Sequence, residues 1–198
     1  MTSKSHNIYL TSVDSLGDNT PIMLTLIEML NAYSGKTALF RPIIDSNQPV
    51  DSLIEFICHR YPNNLPYEAL YGCQSDQAHQ LLANQQYAEL LKIILAKYRA
   101  LSEHCAQIVC VGSHYQNNDA IYQLEFNLDI ANNLDCLLMP VIHGSHRDQL
   151  QLQNQLAGLK HILQENDCDV LAIIINGVDN LPVDSLNYPV YQIPANAF

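Results

Sequence analysis

Apolar residues along the chain fall into two kinds of segment that take turns. One kind is short and almost continuously apolar: NIYLTSV, TALFRPI, AQIVCVG, DCLLMPVIHG and DVLAIIINGV. Such runs, bounded by turn residues, read as strands covered on both faces, as in a parallel sheet. The other kind carries apolar residues three and four apart: PIMLTLIEMLNAY, the stretch from Ser75 to about Glu103, DAIYQLEFNLDIANNL and DQLQLQNQLAGLKHILQEN. These read as helices with one apolar face, supplied in the Ser75 stretch by Leu81, Leu82, Leu90, Leu91, Ile94, Leu95, Tyr98 and Leu101. Pro21 suits the first turn of the first helix. A last short run, YPVYQIP, is placed to close the sheet. The region of about 44–74, with Pro49, Pro62, Pro66 and the short helical pattern VDSLIEFICHR, reads as an irregular excursion.

Strand, loop, helix, strand is the start of a βαβ unit, whose right-handed crossover makes parallel pairing its natural product. The expected fold is therefore α/β: a doubly wound, mainly parallel sheet with helices on both faces, in a single domain over 1–198.

The stretch Ser34-Gly35-Lys36-Thr37 invites a different reading, as the end of the phosphate-binding pattern G-x-x-x-x-G-K-[ST]. Counting back from Gly35 puts Leu30 at the first glycine position. The order of elements is also reversed, because a helix precedes the stretch and a strand follows it, whereas phosphate must meet the amides that open a helix. SGKT is a decoy; Gly35 ends a helix and Lys36 lies beside its negative end.

Composition narrows the partners. The 198 residues are 48% hydrophobic and 15% charged, enough for one good core. Twenty acidic against nine basic side chains give a net charge of −11 without a basic cluster, which disfavours nucleic acid and anionic membrane as partners. Apolar runs such as LLKIILA fall short of the ~20 residues of a membrane span, and MTSKSHN is not a signal region, so a cytoplasmic protein is expected. The six cysteines form no C-x-x-C pair, and most read as reduced, small core residues. Cys105 and Cys110, beside and inside an apolar strand, read as packing groups rather than redox groups.

In a doubly wound sheet, ligands sit at the carboxyl ends of the strands. The candidates are accordingly Asp14 to Thr20, Arg41, Gly112 to His114, His143 to His146, and Asn176. The position of a genuine phosphate loop is SVDSLGDNT, after the first strand and before the first helix. Aligned on Gly17, it has Ser12 for the first glycine, Asp18 for the lysine and Asn19 for the hydroxyl residue. A carboxylate in place of an ammonium repels a phosphate, so the loop is not built for ATP hydrolysis, although helix amides could hold a weak anion. Asp14, Asp18 and Asn19 fit capping of the helix better than cation binding. His143-x-x-His146 with His114 is the metal candidate, set against solvated loop histidines; no carboxylate or thiolate at fixed spacing completes a ligand set. For Asn176, a small-ligand contact and a plain turn stand equally open.

These segments carry a resemblance. The order IYLTSVDSLGDNTP, ALFRPI, a long helix, AQIVCVGS, EFNLDIANNLDCLLMPVIHG, VLAIIINGV and PVYQIP resembles the N-terminal domain of bacterial phosphate acetyltransferases, itself related to the P-loop fold of dethiobiotin synthetase. FNLDIANNL is similar to that family's L-N-x-x-[IL]-A-x-x-L, and Arg41-Pro42-Ile43 to its K-P-[IV]. Three departures stand out. The family's T-G-T-S-V-G survives only as Ser12, Ser15 and Gly17; its V-E-G is here Val111-Gly112-Ser113; its V-N-[KR] keeps Asn176 but has Gly177 for the basic residue.

The resemblance implies a non-catalytic regulatory and assembly domain, with the conversion of acetyl-CoA and phosphate to acetyl phosphate and CoA in a separate C-terminal domain that has no counterpart in these residues. Its ligand residues would be Ser12, Asp14, Ser15, Gly17, Asn19 and Thr20 in the degenerate loop and Arg41, His114, His143 and Asn176 on the sheet edge. No catalytic residue, metal or cofactor is expected; the partners would be a metabolite effector, further copies of the chain or a catalytic acetyltransferase domain. The alternative is an ATP-dependent, dethiobiotin-synthetase-like ligase or nucleotide-binding protein that recruits Lys36 or Arg41 as its cation.

Overall fold

The computed structural model describes residues 7–14, 18–61, 65–113, 120–145, 147–182, 187–195 and 197. Ser15, Gly17, His114 and His146, four of the residues singled out above, lie outside that set. The chain runs β1 (Ile8–Ser12), α1 (Thr20–Ser34), β2 (Thr37–Ile44), α2 (Ser52–Arg60), a 3₁₀ turn (Tyr67–Ala69), β3 (Tyr71–Gln74), α3 (Ser75–Ala83), α4 (Tyr87–Ser102), β4 (Gln107–Val111), α5 (Ala120–Asn133), β5 (Leu137–His143), α6 (Gln149–Glu165), β6 (Ile173–Asn176) and β7 (Val190–Ile193).

The strands form one sheet in the order β3-β2-β4-β1-β5-β6-β7, and every neighbouring pair is parallel. The continuous apolar runs end in its middle: Tyr9, Leu10, Leu39, Phe40, Val109, Cys110, Val141 and Ile142 are fully buried. Each such side chain taken out of water contributes about 1.5–3 kcal/mol before entropy is counted. Right-handed crossovers place α1 and α2 on one face and α3 to α6 on the other. Side-chain pairs agree, since Glu28 of α1 accepts from Arg60 and Tyr61 at the end of α2, and Tyr87 of α4 donates to Asp129 of α5.

Two segments differ from the sequence-based expectation. The stretch from Ser75 is not one helix: it breaks between Ala83 and Tyr87, where Gln85 adopts φ 58. The amides of Gln86 and Gln85 reach back to the carbonyls of Leu81 and Leu82, closing a Schellman motif. The 44–74 excursion is more regular than expected. It holds α2, capped by Asp51, and the strand β3, which extends the sheet beyond β2. Gly72 permits that pairing: a Cβ there would stand 2.5 Å from the Pro42 carbonyl oxygen and 3.0 Å from Ile94 of α4.

Gly35 does end α1, with φ 89 and its N–H on the Asn31 carbonyl. Lys36 is exposed and its carbonyl accepts from Ala106 and Gln107 just ahead of β4. It thus marks the amino edge of the parallel sheet, opposite to the loop that follows β1. No helix among the described residues is long and apolar enough to cross a membrane.

Candidate functional site at the carboxyl edge of the sheet

The chain leaves β1 toward β2 and leaves β5 toward β6, in opposite directions, so a crevice opens at the carboxyl edge around β1. The loop after β1 continues the ladder through Val13, whose amide donates to the Val141 carbonyl. Asp14 then turns away from α1. Its Oδ2 lies 2.6 Å from Nη1 of Arg147 and accepts from Nε2 of Gln155 at 2.8 Å. Arg147 Nη1 also donates to the His143 carbonyl at 3.0 Å and to Gln155 Oε1 at 2.5 Å. Both charges are largely buried, with side chains 11% exposed for Asp14 and 19% for Arg147. The expectation that Asp14 caps α1 is therefore corrected: its carboxylate serves a long-range ion pair.

Among the described residues, Asp18 does the capping: its Oδ1 accepts the Thr20 N–H at 2.8 Å. Asn19 is the N-cap by position but makes no side-chain bond to the helix. Its amide instead donates through Nδ2 to Ser12 Oγ at 2.8 Å and meets His143 Nε2 at 3.0 Å through Oδ1. That arrangement assigns the proton to Nε2 of His143, because Oδ1 can only accept. A chain of polar contacts, Ser12 to Asn19 to His143, thus ties the ends of β1 and β5 to the start of α1.

The other half of the edge is open. A cavity of about 310 Å³ lies between the starts of α1 and α2 and the ends of β2 and β4, at the small end of the range of small-ligand pockets. Asp18, Asn19 and Thr20 line one wall, Asp51 and Ser52 another; Met23, Leu53 and Val111 make it half apolar, and Gly112 closes it. Arg41 reaches in from β2. Its side chain is 16% exposed, and its one ion pair among the described residues, Nη2 to Asp51 Oδ2, is long at 3.6 Å. Nε is buried with no hydrogen-bond partner. Asp51 is otherwise committed: Oδ1 accepts from the amides of Leu53 and Ile54 at 3.1 Å each, and its own N–H donates to the Tyr67 hydroxyl.

The cavity wall at Gly112 is set from behind. Asn127 of α5 accepts from the Tyr9 hydroxyl at 2.8 Å and donates to the carbonyls of Gln123 and Ser113. A Cβ on Gly112 would stand 2.5 Å from Asn127 Oδ1, so the close approach requires glycine. Ser113 in turn donates to the Ile43 carbonyl and accepts the Ile43 amide, extending the β2–β4 edge past the strands.

Among the sequence-predicted residues, the structure brings Asn19, Thr20 and Arg41 together at the cavity and joins Ser12 and His143 through Asn19. Asn176 stands apart, opposite His143 in the β5–β6 register, where its carbonyl accepts the Gly144 amide. Among the described residues, no three His, Cys, Asp or Glu side chains are arranged to hold a metal ion. The thiols of Cys105 and Cys110 are pushed up by burial, away from the reactive thiolate.

Comparison with known proteins fits this geometry. Residues 6–193 match the family described as AAA domain. The chain belongs to that family. Phosphate acetyltransferase from Nitratidesulfovibrio vulgaris (strain Hildenborough) is 32% identical over 174 residues, covering 87% of this chain and 25% of that protein. Phosphate acetyltransferase from Synechocystis sp. is 27% identical over 177 residues, with the same two shares. The AAA domain thus spans about a quarter of the length of the curated relatives it matches, in their N-terminal part. The seven-stranded parallel sheet is the P-loop-like α/β fold that the resemblance implied.

Sequence reasoning missed four residues of this AAA domain's edge: Asp51, Arg147, Gln155 and Asn127 in a site role. Arg147 was within reach of the strand-end rule, one residue past the window that closed at His146. Asp51 is the cap of α2, and its second role beside Arg41 is a contact between the start of that helix and β2.

Proposed function

We propose that this AAA domain is a non-catalytic regulatory and assembly module of a cytoplasmic phosphate acetyltransferase, with the acetyl-CoA and phosphate chemistry in a separate domain. A small metabolite effector binds it at the sheet edge. One observation supports the reading: the described polar groups on both sides of the degenerate loop are engaged with the protein's own side chains. Asp14 pairs with Arg147 and Gln155, and Asn19 spans Ser12 and His143. Asp18, aligned with the phosphate-binding lysine, is a carboxylate engaged with the first turn of α1. Lys36 lies at the opposite edge, so of the two cations open to a dethiobiotin-synthetase-like ligase only Arg41 stands at the carboxyl edge, beside Asp51. What stays open is the cavity at Arg41, sized for a small molecule.

A ligand that spans α1, α2 and the ends of β2 and β4 would stabilise one arrangement of those elements, and an attached catalytic domain could respond to that arrangement. The test measures thermal stabilisation by ATP, ADP, CoA, acetyl-CoA, NADH and phosphate, each with and without magnesium, together with acetyl phosphate formation by the chain alone. The expected result is no magnesium-dependent stabilisation by ATP and no turnover. Magnesium-dependent stabilisation with ATP hydrolysis would overturn the reading in favour of the ligase, and acetyl phosphate formation would show the chain to be catalytic.

A further inference from the structure

We infer that the Arg41 cavity takes a small monocarboxylate carrying a hydroxyl or amino donor, a class that deepens the effector reading above and rests on it. An arginine offers five N–H donors in a rigid fork, and a mostly buried one normally spends them. Arg41 spends none on a hydrogen bond among the described residues: its single partner is Asp51 at 3.6 Å, and Nε is buried without an acceptor. The guanidinium faces a cavity of about 310 Å³, so the missing partner is an anion that enters there. Carboxylate and phosphate both match the fork.

The walls choose between them. Among the described residues, Asp18 and Asp51 line the same cavity as Arg41, and no lysine does. The formal charge of the described lining is two negative against one positive, which repels a dianionic phosphate and still accepts a single carboxylate aimed at Arg41. Each wall carboxylate has one oxygen on helix amides, Asp18 Oδ1 on Thr20 and Asp51 Oδ1 on Leu53 and Ile54. Their second oxygens are acceptors, so the ligand's remaining polar group is a donor, a hydroxyl or an ammonium. Met23, Leu53 and Val111 then cover a short carbon skeleton.

The experiment titrates the intact chain calorimetrically with L-lactate, L-serine, acetate, phosphate and magnesium-ADP. Lactate or serine should bind at least about tenfold more tightly than acetate, which has the carboxylate and lacks the donor. Arg41→Gln should weaken that binding about tenfold or more. Ser52→Phe, at an exposed position on the cavity mouth, should block it without touching the core. Because Ser52 is exposed, this second variant keeps the test valid if Arg41→Gln unfolds. Preferred binding of phosphate or of ADP would overturn the carboxylate class and leave the effector reading standing. Equal binding of acetate and lactate would overturn the donor. Binding of lactate or serine that survives Ser52→Phe would place the ligand elsewhere. If none of the five binds, the ligand class is wrong; if the broader metabolite panel of the preceding section also gives no stabilisation, the effector reading fails with it.

Discussion

Asp14 has the sequence position of a helix cap and the surroundings of an ion pair, and its neighbour in space decides between them. The sequence pattern around it is local, whereas Arg147 lies 133 residues away, and no spacing rule connects the two. A carboxylate left in that position without its guanidinium would keep most of its desolvation cost, so Arg147→Met should destabilise the fold by about 1–3 kcal/mol. In a double-mutant cycle with Asp14→Asn, the two changes should fall short of additivity by at least about 0.5 kcal/mol; additive losses in urea unfolding would show the pair to be incidental. Cys73 makes a prediction of opposite character. Burial pushes its thiol up to about 12 from an ordinary 9.0. The folded chain therefore keeps a proton that the unfolded chain releases, and this contribution to stability is complete below pH 9 and lost as pH rises toward 12. Cys73→Ala should lessen the alkaline fall in stability by about 1.4 kcal/mol per pH unit in that window. An unchanged slope would mean that the thiol ionises freely in the folded state.

Elements were legible where periodicity was long and uninterrupted, and β1, β2, β4, β5, α1, α5 and α6 stand where the apolar pattern placed them. The helix break at Ala83–Tyr87 was not legible, because the residues there, Asn84, Gln85 and Gln86, include neither Gly nor Pro. The chain adopts a left-handed residue without the one that favours it, and does so again at Asp135 and Asp167, which follow α5 and α6. At all three sites the amide one residue later returns to the carbonyl two places before the last helical residue: Gln86 to Leu81, Cys136 to Ala131, and Cys168 to Leu163. The geometry recurs because these bonds satisfy carbonyls that helix ends leave orphaned. A left-handed L-residue costs about 1–2 kcal/mol, and glycine recovers part of it while adding freedom to the unfolded chain. Gln85→Gly should therefore raise stability by about 0.5–1 kcal/mol, read as an upward shift in the urea midpoint at constant slope. A fall instead would mean that the Gln85 side chain holds the α3–α4 corner. Strand β3 escaped for a related reason: four residues with a central glycine carry no period, and what fixes them is Gly72 fitting between Pro42 and Ile94.

At the scale of the whole molecule, the sheet order sets a gradient of stability that the candidate site straddles. β1, β4 and β5 lie inside the sheet with a strand on each side, while β3 and β7 end it. The Arg41 cavity lies between the rigid centre, through β4, and the β2–β3 flank, through β2 and the start of α2. Amide hydrogen exchange in the isolated chain should be slowest in β1 and β4, where opening demands loss of the whole core, and faster in β3 and β7, which can fray alone. β7 is the informative strand. Its outer edge has no neighbour within the described fold, and Tyr191 on it is 60% exposed, so the strand presents unpaired backbone groups on which another chain can pair. If Val190–Ile193 exchange within the fast group at every protein concentration, β7 is a free edge and self-association uses another surface. If their protection rises toward that of β1 as concentration is raised, a second copy covers β7, and the assembly half of the proposed role acquires a location on the sheet.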